Sequence, residues 1–196
     1  MQSPGFPSFF SCHAEGGGLR LHCIIRDDRL LHSSFSREQH DRAVAYLCRT
    51  LAVAPPPVCV GVPDLLRPVS VFLEGHRRDL PLAADPFFLA RGTDLQQQVW
   101  QILRTIPFGE TLTYGEVASM LGNPGLARAV GQACGRNPLA LFIPCHRVVG
   151  RGGLTGFAGG IGVKRRLLQI EREVLSLAMA KGDDTTAGGG AGAAPD

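Results

Sequence analysis

The stretch Thr113–Gly135 reads TYGEVASMLGNPGLARAVGQACG and indicates two short helices joined by a tight turn. Thr113 and Glu116 fit a capping box that opens the first helix. Asn123 and Pro124 are typical of an N-cap followed by proline at the first helical position. The stretch therefore predicts a helix-turn-helix, although many helical pairs that bind no nucleic acid share this pattern.

The second helix of this pair carries unusually small side chains. Ala127, Ala129, Gly131 and Ala133 are all small, and Arg128 is the only long cation among them. Small residues allow a helix to approach another surface closely, and Arg128 could then reach a groove or a phosphate. The alternative is a helix packed tightly against a neighbour with Arg128 solvated, and this segment alone leaves both open.

The N-terminal side of the chain predicts a small sheet. Leu19–Ile25 and Leu30–Phe35 are strand-like, and the turn-like Arg26–Arg29 joins them into a hairpin. The first seventeen residues show no clear period and are expected to be loosely ordered. The fold class expected is therefore α/β of the α+β kind, with a small antiparallel sheet followed by a mostly helical part.

Further helices are predicted by capping residues and helical spacing. They are a helix after Ser36 and Gln39 that continues to Leu51, a short helix over Pro68–Gly75, a helix from Thr93 to Pro107, and a last helix from about Ile161 to Leu175. Residues 54–64 are expected to connect the first two of these.

The composition is that of a globular protein, with 196 residues of which 44% are hydrophobic. No apolar run approaches the length of a membrane span, and a signal peptide is not evident. We therefore expect no membrane partner, no secretion, and reduced thiols at the six cysteines.

Charge is unevenly distributed along the chain. Residues 85–181 carry eleven Lys and Arg against six Asp and Glu, whereas residues 1–84 are nearly balanced. This excess makes the C-terminal part the candidate for a polyanionic partner. A mildly basic surface without such a partner is the alternative.

A cysteine beside a histidine follows a buried, strand-like run. Leu139–Ile143 leads through Pro144 to Cys145 and His146, and six of the eleven residues from 150 to 160 are glycine. The thiolate is the reactive form of cysteine, so a base within reach would activate it. Adjacent side chains usually diverge, and for that reason a bend or a bridging water would be needed. Glu171 on the last helix could orient the imidazole.

These residues resemble a known family. Ile143–Gly150 reads IPCHRVVG and is similar to the active-site signature of the O6-alkylguanine-DNA alkyltransferases, the methylated-DNA–protein-cysteine methyltransferases. The resemblance extends over roughly Arg91–Glu171. It includes Gly92–Trp100, Ile106–Thr111, Tyr114–Ala118, Ala127–Gly131, Asn137-Pro138 and Leu154–Gly160.

The resemblance implies a direct-reversal DNA repair reaction. Cys145 would take the alkyl group from guanine O6 irreversibly, so that one protein repairs one base without a cofactor. His146 would deprotonate the thiol through a water and Glu171 would hold the imidazole. Asn137 would organise the turns around the site, and Tyr114 would meet a phosphate and protonate the leaving base.

The resemblance also implies a nucleic-acid interface in the minor groove. Arg128 would enter the base stack in place of the flipped guanine, because the lesion must leave the duplex to react. Other residues expected at the DNA are Tyr114, Asn123, Ala127, Ala129, Gly131 and Arg151. The pocket for the flipped base would involve Cys134, Val148, Phe157, Ala158 and Gly159. Phe157, Ala158 and Ala140 stand where other members carry Tyr, Ser and Pro.

Partners and location follow from the same resemblance. We expect double-stranded DNA with O6-alkylguanine or O4-alkylthymine as the partner of a monomeric protein. It would be cytoplasmic, at the nucleoid in a bacterium, or nuclear in a eukaryote.

We expect a supporting domain at 1–84, a DNA-binding and alkyl-acceptor domain at 85–181, and a disordered tail at 182–196. Some members bind zinc, but Cys12, His13, His22 and Cys23 do not match that pattern, and no metal is expected.

Three other functions would each explain part of this sequence. Alkyltransferase-like proteins recognise damage without repairing it, but they characteristically lack the acceptor that Cys145 supplies here. A cysteine hydrolase gives no reason for the helix that carries Arg128. A helix-turn-helix transcription factor explains the basic charge but not Pro144–Arg147 beside a glycine-rich loop.

Overall fold

The computed structural model describes residues 9–180 and begins with a three-stranded antiparallel sheet. Its strands are β1 (Phe9–Gly16), β2 (Leu19–Arg26) and β3 (Arg29–Ser34), hydrogen-bonded in that order. Asp27 and Asp28 turn the chain between β2 and β3 with φ of 50° and 59°, a left-handed conformation that aspartate tolerates. The predicted hairpin is confirmed.

Strand β1 corrects the expectation that the first seventeen residues are loosely ordered. All eight of its residues pair with β2, from Phe9 opposite Arg26 to Gly16 opposite Leu19. Its core face consists of Phe10, Cys12 and Ala14. Only one of these is large and none is β-branched, so the strand carries little of the usual β signal. Residues 1–8 lie outside the described part of the chain.

Helix α1 (Arg37–Leu51) packs on one face of the sheet and begins as predicted at Ser36, whose side chain accepts from the Gln39 amide. Only this half of the predicted capping box forms. The Ser36 amide donates to Ser34 Oγ instead, and the Gln39 carboxamide accepts from that same hydroxyl at 3.0 Å. The nearby serine thus frees Gln39 to point away from the cap.

Two short helices follow the connector. Helix α2 (Arg67–Leu73) agrees with the predicted helix at 68–75, and α3 (Pro86–Leu89) is capped by Asp85. Arg26 makes a bidentate ion pair with Asp85, in which Nη2 lies 2.6 Å from Oδ2. This pair joins the end of β2 to the start of the helical part.

The C-terminal part contains α4 (Asp94–Thr105), β4 (Leu112–Thr113), α5 (Tyr114–Met120) and α6 (Ala127–Gly135). Complete capping boxes open α4 at Thr93 and α5 at Thr113. Asn123 caps a 3-10 turn, Pro124–Leu126, that leads into α6. The predicted helix-turn-helix is therefore confirmed. The indole N–H of Trp100 donates to the Ala133 carbonyl at 3.0 Å and attaches α6 to α4.

Leu139–Ile143 is a buried turn, and the predicted strand there is wrong. The Ile143 amide donates back to the Leu139 carbonyl at 2.8 Å, and Leu141 has a φ of 76°. The side chain of Asn137 holds both ends of this turn, so local polar contacts outweigh the apolar pattern. A continuous apolar run fits a buried strand and a buried turn equally well.

The fold ends with β5 (Val148–Val149), which pairs in parallel with β4, and with α7 (Ile161–Ala180), which is longer than predicted.

One cluster of buried apolar side chains includes Leu21 and Phe72 together with Val99, Val130 and Leu167. This core spans the expected boundary near residue 84, and the division into two domains stays a prediction. The predicted tail at 182–196 lies outside the described residues. None of the helices within residues 9–180 has both the length and the apolar character needed to cross a membrane.

Candidate active site

The thiol of Cys145 lies in a 3-10 turn, Cys145–Arg147, directly after Pro144. The residue is 6% exposed, and Asn137 Nδ2 donates to its Sγ at 3.2 Å. Burial raises the pKa of the Cys145 thiol, while the hydrogen bond from Asn137 and the charge of Lys164 lower it. Because burial dominates, the resting group is a thiol that needs a base.

Asn137, which the resemblance placed among the site residues, makes further contacts in the turn that precedes this thiol. Its Nδ2 also donates to the Ile143 carbonyl at 2.7 Å, and its Oδ1 accepts from the Leu139 amide at 3.0 Å. One buried amide thus fixes the beginning and the end of the 139–143 turn. The sulfur at Cys145 is positioned by the same group.

His146 and Glu171 form a fully buried pair. His146 Nε2 lies 2.8 Å from Glu171 Oε1, and neither side chain is exposed. Burial lowers the pKa of His146 against the opposing effect of Glu171. Burial acts to raise the pKa of Glu171, but hydrogen bonds and charge from His146 and Arg147 bring it to about 2. At neutral pH the pair is a neutral imidazole beside a carboxylate.

Arg147 is a site residue that sequence reasoning missed. Its guanidinium donates to both carboxylate oxygens of Glu171 at 2.9 to 3.1 Å. It also donates to the Ile106 carbonyl at 2.7 Å. The Gly109 amide also donates to Glu171 at 2.8 Å. Together with His146, three groups thus hold this carboxylate in place. Arg147 directly follows His146 in the sequence, and this position next to the candidate base was the available signal.

Lys164 is a second missed residue. It is fully buried on α7, and its Nζ donates to the carbonyls of Val148 at 2.6 Å and Thr155 at 2.9 Å. Its charge lowers the pKa of Cys145, while burial lowers the pKa of Lys164 itself. Lys164 lies seven residues before Glu171, which places both on one face of the helix. That spacing could have indicated a cation near the site.

A cavity of about 540 Å³ opens beside the Cys145 thiol. Of the predicted site residues, its lining includes Tyr114, Gly131, Cys134, Asn137, Phe157, Ala158 and Gly159. Val148 is not among its lining residues. Its side chain is buried, and its carbonyl accepts from Lys164. Burial raises the pKa of Tyr114, which keeps the phenol protonated.

A second depression of about 500 Å³ lies along the helix-turn-helix. Tyr114, Ala127 and Arg151 line it, and Tyr114 therefore borders both cavities. Arg128 is exposed and has no ion-pair partner among residues 9–180, while Ala129 is half-buried. The exposed Asn123 uses its side chain as a cap, accepting from the Gly125 amide at 2.9 Å.

The N-terminal cysteines and histidines occupy paired positions in the sheet. Cys12 lies opposite Cys23, and His13 lies opposite His22. Burial raises the pKa of Cys12 to about 12, with a smaller contribution from Cys59. Within residues 9–180, no group of three or more His, Cys, Asp or Glu side chains is placed to hold a metal ion.

Sequence comparisons match the C-terminal part of the chain. The family model of the 6-O-methylguanine DNA methyltransferase DNA-binding domain matches residues 94–173. The methylated-DNA–protein-cysteine methyltransferase of Mycobacterium bovis is 60% identical over 83 residues, which are 42% of this chain and 50% of that protein. The protein of that name from Salmonella typhimurium is 54% identical over 85 residues, 43% and 50% of the two chains. The match thus spans about half the length of these relatives.

Structural comparison extends over most of the chain. The crystal structure of Mycobacterium tuberculosis O6-methylguanine methyltransferase superposes with a TM-score of 0.68 at 34% identity. The alignment covers 86% of this chain and 98% of that one. A structure of Mycobacterium tuberculosis OGT in complex with DNA gives a TM-score of 0.67 at 34% identity, covering 84% and 94%. With the signature around Cys145 and this match over both parts of the fold, the chain belongs to the O6-alkylguanine-DNA alkyltransferase family, the methylated-DNA–protein-cysteine methyltransferases.

Proposed function

We propose that this protein repairs O6-alkylguanine in double-stranded DNA by transferring the alkyl group irreversibly to Cys145. One observation carries the proposal: a buried thiol borders a cavity of about 540 Å³, large enough for a flipped base, and the next residue in sequence belongs to the buried His146–Glu171 pair. A relative crystallised with DNA supports the choice of nucleic acid as the partner.

The buried pair selects which nitrogen of His146 can act as the base. Glu171 is ionised at neutral pH, so the nitrogen that bonds it, Nε2, carries the proton. The basic lone pair then lies on Nδ1, which is buried and has no hydrogen-bond partner within residues 9–180. We assign Nδ1 as the acceptor of the thiol proton, through one water.

The reaction exchanges one bond for another. The Sγ–C bond forms, the C–O6 bond breaks, and the thiol proton ends on the released guanine. Tyr114 borders the cavity as a protonated phenol and supplies a proton to the leaving base. The proton that His146 took from the thiol then restores the Tyr114 phenol, so that in net one proton moves from Cys145 to the guanine. The thioether gives water no easy route to regenerate Cys145, so each protein acts once and needs no cofactor.

The damaged base reaches this site only after it leaves the base stack of the duplex, which costs a few kcal/mol. Arg128 is exposed on α6 and offsets this cost by filling the space in the base stack. Tyr114, Asn123, Ala127, Ala129, Gly131 and Arg151 complete the DNA interface. Cys134, Phe157, Ala158 and Gly159, which line the cavity, surround the flipped base.

The finer features of the function belong to the same proposal. O4-alkylthymine presents a similar O-alkyl group and is the second lesion we assign. The protein acts as a monomer. It is located where the cellular DNA is, at the nucleoid in a bacterium or in the nucleus of a eukaryote. Residues 1–84 support the acceptor domain at 85–181.

Mass spectrometry of tryptic peptides tests the proposal. The protein is incubated with a duplex containing O6-methylguanine, and an unmodified duplex provides the control. One methyl group is expected on Asn137–Arg147, which holds Cys145, and none on Ala129–Arg136, which holds Cys134. Cys145→Ala should abolish transfer and retain binding to the alkylated duplex. Tight lesion binding with unmodified peptides in the unsubstituted protein would instead show a damage-recognition protein.

A further inference from the structure

A short turn after α4 lies against the ion pair that supports His146. It consists of Ile106–Gly109 and leads from the end of α4 toward β4. The Glu110 amide donates to the Pro107 carbonyl at 3.2 Å and closes the turn. We call Ile106–Gly109 the cradle turn, because it contacts both members of the Arg147–Glu171 pair.

Two backbone groups of the cradle turn bind the two charged side chains. The Ile106 carbonyl accepts from Arg147 Nη1 at 2.7 Å, and the Gly109 amide donates to Glu171 Oε2 at 2.8 Å. The acceptor thus meets the cation and the donor meets the carboxylate. Because the Glu171 side chain exposes no surface, it depends on such donors in place of water.

Gly109 gives the cradle turn the shape that this contact needs. Its φ of 82° lies in the left-handed region that favours glycine. An added Cβ would also collide with Leu175 on α7. The backbone of the turn therefore comes close enough to α7 for its amide to reach Glu171.

The ring of Phe108 lies beside the guanidinium of Arg147. Arg147 Cζ is 5.6 Å from the ring centroid, within the distance over which a cation and an aromatic face attract each other. The Arg147 side chain is 12% exposed, and this attraction strengthens when the cation is shielded from water. The ring therefore favours the position in which the guanidinium bonds the Glu171 carboxylate.

The N-terminal part of the chain holds that ring in place. Phe72 on α2 is buried and meets Phe108 at a steep angle, with the centroids 5.8 Å apart and the planes at 86°. Aromatic pairs favour this edge-to-face arrangement. Contacts therefore run from α2 through Phe108 and Arg147 to the carboxylate that orients His146.

The charged groups around His146 show what Arg147 does for the imidazole. Burial has the largest effect and lowers the pKa of His146. Among the charged side chains, Glu171 raises this pKa, whereas Arg147 and the buried Lys164 lower it. If the guanidinium moved away, the buried carboxylate would draw a proton to the imidazole more strongly. The pKa of His146 would then rise, and less of the base would be available in acid.

We propose that the cradle turn positions the Arg147–Glu171 pair for alkyl transfer, with Phe108 as a positioning residue that acts through Arg147. This inference rests on the proposed function, since His146 is the base of that reaction. Phe108 does not line the Cys145 cavity, so its ring does not contact the flipped base. It holds the cation that keeps His146 unprotonated.

The pH dependence of single-turnover methyl transfer tests this role. Rates are measured at pH 5.5 and pH 8 with a duplex that carries O6-methylguanine, and the ratio of the acid rate to the alkaline rate is compared. Phe108→Leu keeps an apolar side chain but removes the aromatic face, and it is expected to lower this ratio about threefold. Arg147→Met removes the cation itself and should lower the ratio at least as much. Phe108→Tyr keeps the aromatic face and should retain the ratio of the unsubstituted protein.

Urea unfolding at pH 5.5 and pH 8 confirms that each variant is folded where its rate is measured. Phe108→Met, which also lacks the aromatic face, replaces Phe108→Leu if that variant does not fold. A loss of folded protein lowers the amount that reacts but leaves the rate constant of the folded fraction unchanged. The ratio of rate constants therefore separates positioning from stability.

Phe87→Leu is the matched control. Arg91 Cζ lies 3.6 Å from the Phe87 ring centroid on α3, and Phe87 does not line the Cys145 cavity. The substitution thus removes a similar contact between a cation and a ring outside the site, and the ratio is expected to stay unchanged.

An unchanged or raised ratio in Phe108→Leu overturns the proposal. Equal slowing at both pH values also overturns it, since Phe108 would then be only structural. The same loss in Phe108→Tyr or in Phe87→Leu has the same meaning, because the effect would not depend on this aromatic face. Absence of methyl transfer in the unsubstituted protein at both pH values would instead refute the proposed function.

Discussion

Glu171 Oε1 and His146 Nε2 are 2.8 Å apart, between two side chains that expose no surface. Because Arg147 and the Gly109 amide also hold this carboxylate, the imidazole is presented in one orientation and one tautomer. The contact therefore connects Glu171 on α7 to the turn that carries Cys145 and His146.

Glu171→Gln tests this coupling. We expect methyl transfer to slow about a hundredfold, the lower end of the range for a general-base contribution, because Glu171 positions the base and His146 itself is still present. Since burial lowers the pKa of His146 and Glu171 opposes that effect, removing the carboxylate lowers the pKa of His146 further. The falling acid limb of the rate profile should therefore move to lower pH as the plateau drops. A profile from single-turnover rates between pH 5 and 9 checks both effects; an unchanged limb would contradict the coupling.

Lys164→Met tests the buried cation near the thiol. The substitution keeps the length of the side chain but removes the charge that lowers the pKa of Cys145. We expect the pKa of Cys145 to rise further, because burial is then opposed by one charge fewer, and the reaction of Cys145 with a thiol reagent to slow several-fold at constant pH. Arg165→Met changes the exposed neighbour on α7 and is the control. Equal pH dependence in both variants would show that Lys164 acts only through its two carbonyl contacts.

Arg128→Ala separates base flipping from chemistry. We expect transfer from an alkylated duplex to slow at least about tenfold, since the variant loses the side chain that offsets a flipping cost of a few kcal/mol. Reaction with free O6-benzylguanine needs no flipping and should stay within about twofold. Arg49→Ala, at an exposed arginine near the end of α1, should alter neither rate. An equal loss of both reactions in Arg128→Ala would remove the flipping role.

Two buried histidines predict acid sensitivity of the fold. Burial, reinforced by a neighbouring histidine, lowers the pKa of His32 to about 3 and that of His40 to about 4. The unfolded chain binds these protons near pH 6.5, so stability is highest above that pH and falls as the pH drops toward the folded values. Each histidine contributes a slope of about 1.4 kcal/mol per pH unit in that window.

Urea unfolding at pH 7, 6 and 5 measures this slope. His32→Leu should reduce it by about 1.4 kcal/mol per unit between pH 6 and 5, because one of the two titrating groups is gone. Equal slopes in the variant and the unsubstituted protein would show that His32 does not titrate in this range.

Local signals in the sequence predicted much of the fold. The caps at Ser36, Thr93 and Thr113 act within three residues, and for that reason they identified helix starts from short stretches of chain. Strand β1 was missed because its pairing with β2 supplies the order that its own residues do not indicate. The turn at 139–143 was missed because a side chain outside the run, that of Asn137, decides its shape.

The candidate site shows the same division. Cys145, His146 and Glu171 were identified from residue types, adjacency and resemblance. The part of the Cys145 cavity that Phe35 lines could not be predicted, because Phe35 and Cys145 are separated by more than a hundred residues in the sequence. Lys164 was missed because a lysine on a helix is usually solvated, and only the fold shows that this one is buried.

Trp100 is the only tryptophan in the chain, and its indole N–H donates to the Ala133 carbonyl in the last turn of α6, the second helix of the helix-turn-helix. The protein therefore contains a built-in fluorophore at the joint between α4 and α6. Indole emission depends on hydrogen bonding and on exposure to water, so a shift in its wavelength reports loosening of that joint. The binding of α6 to DNA can accordingly be followed in real time by the Trp100 emission, with unlabelled protein and without a dye on the DNA.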